Sequence, residues 1–255
     1  FGQDGPLAAR PGYDFLIQGM SGLMSITGEA DGLPQKVGVA VTDIFTGLYG
    51  VIGIQAALAQ RERTGRGQHV DLSLLDSATA ILANQAMNYL VTGTAPVRLG
   101  NAHPNIVPYQ AFAVADGHVI VAVGNEAQFA RFCGVLGLDE VPGDARFATN
   151  QDRVAHREVL IPMLEGALAG WAKQDLLDRL EEVGVPHGPI NTIAEALAEP
   201  QVQARGLAIR PEDVPGVRTP LRFSEAGLAL ERSAPVRDRD GAAIRAGLWG
   251  ALEAD

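Results

Sequence analysis

A chain of 255 residues with 47% hydrophobic and 20% charged side chains holds enough apolar material for one large domain or two smaller ones. Its net charge of −10 argues against nucleic acid or an anionic membrane surface as a partner, while leaving room for a ligand whose phosphates need only a few local arginines. Cys133 is the only cysteine, which excludes an intramolecular disulfide and a cysteine-based zinc cluster, and the scattered histidines show no metal-ligand spacing. No apolar run reads as a membrane span and no signal peptide opens the chain, so the expectation is a cytoplasmic protein without a membrane partner.

Residues 1–10 form a Gly- and Pro-rich loop, followed by a mixed segment over 11–24 that contains Tyr13. The β-branched run at 37–41 predicts a buried strand. Ile44, Leu48, Val51, Ile52 and Leu58 then fall at helical spacing, which predicts a helix to about Arg63. Asp43 therefore sits where a strand ends and a helix begins, the place where open α/β sheets bind ligands. A helix start also favours a carboxylate. Helix N-capping is the commoner job for such an aspartate, by roughly three to one. Local spacing alone does not choose between them.

Past a glycine-bearing turn at 64–67, residues 69–74 alternate as a strand, and Asp76 is placed to cap an apolar helix reaching about Val91. Arg61, Arg63 and Arg66 cluster where basic side chains complement a helix C-terminus. Residues 92–107 carry Gly and Pro at several points and read as an interdomain linker. A hairpin is predicted over 109–123, turning at Asp116-Gly117. A helix over 125–138 would point Phe129, Phe132 and Leu136 inward, with Glu126 as a helix-start charge and Cys133 in the apolar core. Two amphipathic helices fit residues 150–183, the second with Leu176, Leu177 and Leu180 inward. His187 reads as a turn residue in a Gly/Pro segment at 184–190, ahead of a short helix at 192–198. Prolines at 211, 215 and 220 limit the extended stretch 207–223 to edge strands, and a last helix is expected over 241–252.

Several of these stretches form one ordered set. Gly12-Tyr13-Asp14, Gly19-Met20-Ser21-Gly22, Asp43, the run from Arg61 to Gln68, and Val70-Asp71-Leu72-Ser73-Leu74-Leu75-Asp76 resemble the class III (CaiB/BaiF-type) CoA-transferases. Gly100-Asn101-Ala102-His103, Pro108-Tyr109-Gln110-Ala111-Phe112 and the segment from Gly184 to Asn191 continue the resemblance, which covers residues 1 to about 225. That family also contains formyl-CoA transferase and α-methylacyl-CoA racemase. The Gly-Asn-Ala-His stretch followed by Ile-Val-Pro-Tyr-Gln-Ala-Phe is most similar to the succinate–hydroxymethylglutarate type.

The resemblance implies a fold and a chemistry. The fold would be α/β: a Rossmann-like parallel-sheet large domain, here partial over residues 1–95, a linker at 96–107, a small α+β domain over 108–195, and a return segment at 196–255 packing on the large domain. The chain opens at Phe1 without a methionine, at a point lying well inside family members, so the first βα units and much of the CoA site are expected to be absent. Family members form interlocked homodimers. Asp43 takes the place of the nucleophilic aspartate. Tyr13 stands where the racemases carry a proton-shuttling histidine; tyrosine titrates near 10 and shuttles protons poorly at neutral pH, which favours transfer over racemisation. Tyr13 is then a contact to the pantetheine arm or a packing residue. Asn101 and His103 replace part of a glycine-rich active-site loop and are placed to bind the free carboxylate of a small dicarboxylic acid, or to stiffen the loop. The substrates implied are an acyl-CoA, succinyl-CoA or similar, and a small carboxylic acid. No permanent cofactor or metal is expected. An α-methylacyl-CoA racemase or epimerase, and an inactive fragment or non-catalytic partner-binding chain, are the alternatives.

Overall fold

The computed structural model describes residues 1–247. By their contacts these divide into two compact units, Phe1–Pro189 and a second beginning at Ile190.

The first unit opens with helices: α1 (Asp14–Met20), α2 (Val41–Thr64), α3 (Leu74–Ala80) and α4 (Ala83–Thr92). The predicted helix after Asp43 is therefore present and ends on Gly65, whose left-handed backbone (φ 71°) supplies the C-cap that a side-chain-bearing residue would adopt only with strain. The two strands predicted around it are not. Residues 37–40 form no strand and 67–73 are irregular up to the start of α3, because no segment among the described residues lies beside either to complete a hydrogen-bond ladder. A β-branched run reports an apolar environment; a strand needs a neighbour.

The helix predicted from Asp76 is also revised. Ser73, not Asp76, is its N-cap, accepting from the Asp76 backbone N–H at 3.1 Å, and the helix breaks at residues 81–82 into α3 and α4. α2 corrects a further expectation. It is long and apolar enough by length and composition to cross a membrane, with a mean hydropathy of 1.4 over its best stretch. Its charges stand only at its ends (Asp43, then Arg61, Glu62 and Arg63), and the small residues between its aliphatics do not offset them. Core helices of water-soluble proteins pass the same test.

The core lies further along the chain. β1 (Tyr109–Val114) and β2 (Gly117–Ala122) pair as an antiparallel hairpin, with Val114 opposite Gly117 across the tight turn. β3 (His187–Pro189) adds a third antiparallel strand by pairing Val119–Val121 of β2, so His187 is a strand residue rather than a turn residue. Of the helices α5 (Glu126–Val135), α6 (Asn150–Ala155), α7 (Arg157–Leu168) and α8 (Lys173–Glu182), the last two pack directly on this sheet, while α5 lies against α8 and α6 against α7. Where two helices were predicted over 150–183 there are three, since the chain breaks at His156. The inward faces match the sequence pattern: Phe129, Phe132, Cys133, Leu176 and Leu180 are buried, with Leu136 packed at the edge. The sheet alternates as well, burying Phe112, Val119 and Val121.

The second unit carries α9 (Ile193–Ala198), α10 (Pro200–Ala204), the two-stranded pair β4 (Ala208–Ile209) and β5 (Gly216–Val217), and α11 (Gly241–Arg245). Thr192 caps α9 in a capping box with Glu195. The expected last helix is present as α11 but ends at Arg245, with Ala246 its C-cap; residues 248–252 of its predicted span lie outside the described residues.

Candidate active site

Asp43 occupies the third position of α2 and is exposed. It is not the cap. Asp14, 28 residues earlier, accepts from the Thr42 backbone N–H at 2.8 Å and from the Thr42 hydroxyl at 2.6 Å, both through Oδ1. Gln18 Nε2 donates to the other oxygen at 2.7 Å and its Oε1 accepts from the Val37 N–H at 2.9 Å, so α1 grips the chain on the approach to α2. Partial burial pushes the Asp14 carboxyl up, but the bonds from Thr42 and Gln18 outweigh it and hold the group below the ordinary carboxylate value. The Asp43 backbone N–H also serves Asp14, and with the helix-start donors so engaged, the Asp43 side chain makes no hydrogen bond or ion pair among the described residues. A carboxylate at a helix N-terminus, open and unengaged, suits a nucleophile better than a structural cap.

Tyr13 precedes Asp14 directly, at the N-cap of α1, so the Asp14–Thr42 bonds bring the backbones of residues 13 and 43 together. Its side chain is 79% exposed. Asn101 and His103 belong to a second cluster, and no hydrogen bond, ion pair or ring contact joins the two clusters among the described residues. Residues 98–100 are tied to the loop after α1: Arg98 donates to Glu29 O at 3.2 Å and Gly32 O at 2.8 Å, and the Gly100 N–H donates to Gly28 O at 3.1 Å.

Asn101 is exposed on the rim of a cleft of about 280 Å³ that also presents Glu29, Gln110 and His118. A carboxylate already stands in that cleft. His103 has a different setting. Its ring lies 5.3 Å from that of Tyr109, and its Nδ1 accepts from the Asn105 N–H at 3.1 Å, which leaves the proton of the neutral ring on Nε2. Partial burial pushes the His103 ring below the ordinary histidine value, and the Arg157 guanidinium acts the same way. At neutral pH it is an uncharged ring with one N–H to donate.

Asp14 stood within a motif but without an assigned role, and Asn150, Arg153 and Arg157 were not singled out, because the Thr42 and residue 103–107 partners that define them lie far away in sequence. Arg153 is fully buried, donates from Nε to Val107 O at 2.7 Å and from Nη1 to Phe147 O at 3.1 Å, and stacks 4.4 Å over Phe129. Its remaining nitrogen, Nη2, has no hydrogen bond and stands 3.8 Å from Glu126. Glu126 also accepts from the Asn150 N–H at 3.2 Å, in keeping with a helix-start charge. Among the described residues no cluster of His, Cys, Asp or Glu has the grouping to hold a metal ion.

The sequence profile of CoA-transferase family III matches residues 1–241. The succinate–glutarate CoA-transferase of Agrobacterium fabrum is 54% identical over 240 residues, covering 92% of this chain and 60% of its own length. The acetyl-CoA:oxalate CoA-transferase of Acetobacter aceti is 40% identical over 247 residues, covering 96% of this chain and 64% of its own. A crystal structure of a CaiB/BaiF family protein from Brucella suis superposes with a TM-score of 0.83 at 56% identity, over 97% of this chain and 66% of that one. The chain thus spans under two thirds of the length of these relatives. With the fold, an ordered motif set and nearly its whole length in agreement, the chain belongs to CoA-transferase family III.

Proposed function

We propose that this chain carries the nucleophile of a CoA-transferase that moves CoA between a dicarboxylyl-CoA, succinyl-CoA or similar, and a small carboxylic acid. One observation carries the reading: Asp43 is exposed and unengaged in the first turn of α2, while Asp14 does the capping. The dicarboxylic substrates named for the Agrobacterium fabrum relative support the substrate class.

The chemistry runs in four balanced steps. The Asp43 carboxylate attacks the donor thioester carbonyl and expels CoA thiolate, leaving a mixed anhydride. The thiolate attacks the aspartyl carbonyl, releasing the donor acid as carboxylate and leaving CoA on Asp43. The acceptor carboxylate attacks that new thioester, expelling the thiolate and forming a second anhydride. Thiolate attack on the acceptor carbonyl then gives the product acyl-CoA and restores Asp43. Covalent catalysis divides a hard exchange into easier displacements, provided water is excluded. His103, with its Nε2–H and the nearby Arg157 charge, donates to the free carboxylate of the acid; Asn101, beside Glu29, shapes the loop, and Tyr13 meets the pantetheine arm.

The working protein in this reading is a cytoplasmic homodimer. Residues 1–95 belong to the large domain, 96–107 to a linker, 108–195 to the small domain and 196–255 to the return segment. The extended stretches 37–40 and 67–73 join a Rossmann-like sheet completed by polypeptide beyond the described residues, which also covers α2. The relatives' greater length supports this arrangement. Hydroxylamine added during turnover with succinyl-CoA, followed by peptide mass spectrometry, tests the mechanism: a hydroxamate on Asp43 is expected, and exchange that proceeds with Asp43 unmodified overturns it.

A further inference from the structure

α6 and α7 present Asn150, Arg153 and Arg157, at i, i+3 and i+7, along the backbone of the loop that carries His103. Asn150 Nδ2 donates to Asn105 O at 2.8 Å, while its Oδ1 accepts from the Val107 N–H at 3.1 Å. Arg153 Nε donates to Val107 O. Arg157 Nη2 bridges His103 O at 3.1 Å and Pro104 O at 2.9 Å. Backbone atoms of four of the five residues from 103 to 107 are therefore held by three side chains, two from α6 and one from the start of α7.

Two of the three contacts are explained by folding alone. Asn150 and Arg153 grip residues 105–107, where the loop enters β1, and Arg153 is part of the core. Arg157 is different. It is half-buried, and its contacts are to the carbonyls of His103 and Pro104, themselves half-buried and ahead of the residues that lead into β1. One guanidinium nitrogen that donates to two successive carbonyls restrains the peptide between them, and with it the direction of the His103 side chain. The Asn105 N–H then locks the ring itself through Nδ1.

We propose that Arg157 is a positioning residue: it fixes the His103 backbone so that the Nε2–H is presented to the free carboxylate of the acid substrate. This rests on the reading above that His103 contacts that carboxylate. Arg157 itself forms no part of the covalent exchange.

The test uses the whole chain with ¹³C-labelled histidine, titrated with glutarate while the His103 ring signal is followed, in wild type, Arg157→Met and Arg157→Lys. Glutarate is expected to shift the wild-type His103 signal, with an affinity about tenfold weaker in Arg157→Met. Amide exchange of His103 and Asn105 should accelerate in Arg157→Met, and its His103 titration midpoint should rise. Arg157→Lys keeps the charge, but its shorter side chain stops the ammonium short of the Nη2 position that serves both carbonyls, so its His103 midpoint should stay near wild type while loop exchange still quickens. Equal glutarate affinity and loop exchange in wild type and Arg157→Met overturn the positioning role. No glutarate shift at His103 in any of the three proteins overturns the acid-contact reading on which it stands. Should Arg157→Met fail to fold, Arg157→Lys with wild-type loop exchange has the same overturning force.

Discussion

Asp14 and Asp43 carry the same side chain and are given different work by their surroundings. Asp14 spends its oxygens on Thr42 and Gln18, and Asp43 is left open one residue beyond Thr42. Removing the first should cost stability: Asp14→Ala is expected to lose about 1–2 kcal/mol, the usual effect of deleting a helix-start acceptor, read by denaturant unfolding. The sign of its pH dependence follows from the depressed carboxyl. The contribution is present above the unfolded value near 3.8 and is lost as pH falls through the lower folded value, so wild type and Asp14→Ala should converge in acid. Removing the second should cost chemistry instead. Asp43→Asn is expected to lower kcat of CoA exchange by about 10³-fold or more, roughly 4 kcal/mol of barrier, with unfolding unchanged. The sequence showed that an aspartate sat at this helix start; it could not show that the cap on Thr42 came from Asp14, 28 residues before that threonine, because tertiary capping leaves no local pattern.

The elements were legible to the degree that their signals were local. The hairpin of β1 and β2 was visible because its alternation and its Asp-Gly turn are both written in adjacent residues. β3 was hidden: His187–Pro189 is three residues, preceded by Pro186 and ending on a proline, and only its pairing with β2 makes it a strand. The stretches before α2 and α3 failed in the opposite way, strand-like in composition but with no partner among the described residues. Within the core formed by these elements, Phe132→Ala should destabilise by about 3–5 kcal/mol, since Phe132 is fully buried against Phe112 and its neighbours, and thermal unfolding would register it. Cys133 beside it has its thiol pushed up to about 12, chiefly by burial. Thiol-specific reagents should therefore leave native protein unlabelled near pH 8 and modify it only on unfolding, a contrast readable by mass spectrometry.

At the scale of the molecule, α2 presents Ile44, Leu48, Val51, Ile52 and Ile54 to the outside along a length where helices of this composition are normally covered. The isolated chain should consequently associate, and paired Leu48→Lys and Ile52→Lys substitutions should shift it toward monomer in analytical ultracentrifugation. The family was legible from motif order alone, whereas the sheet was not, because a sheet is a property of several segments at once.

Among the described residues, the apolar cluster that begins at Val107 and closes at Val185 leaves only Ile17 and Ala78 as buried apolar side chains elsewhere. That distribution gives residues 105–189 their own thermodynamic reason to fold. Excised as a peptide, this stretch should be autonomous, with dispersed amide resonances and a cooperative melt, and the gene could be cut there without destroying what lies between.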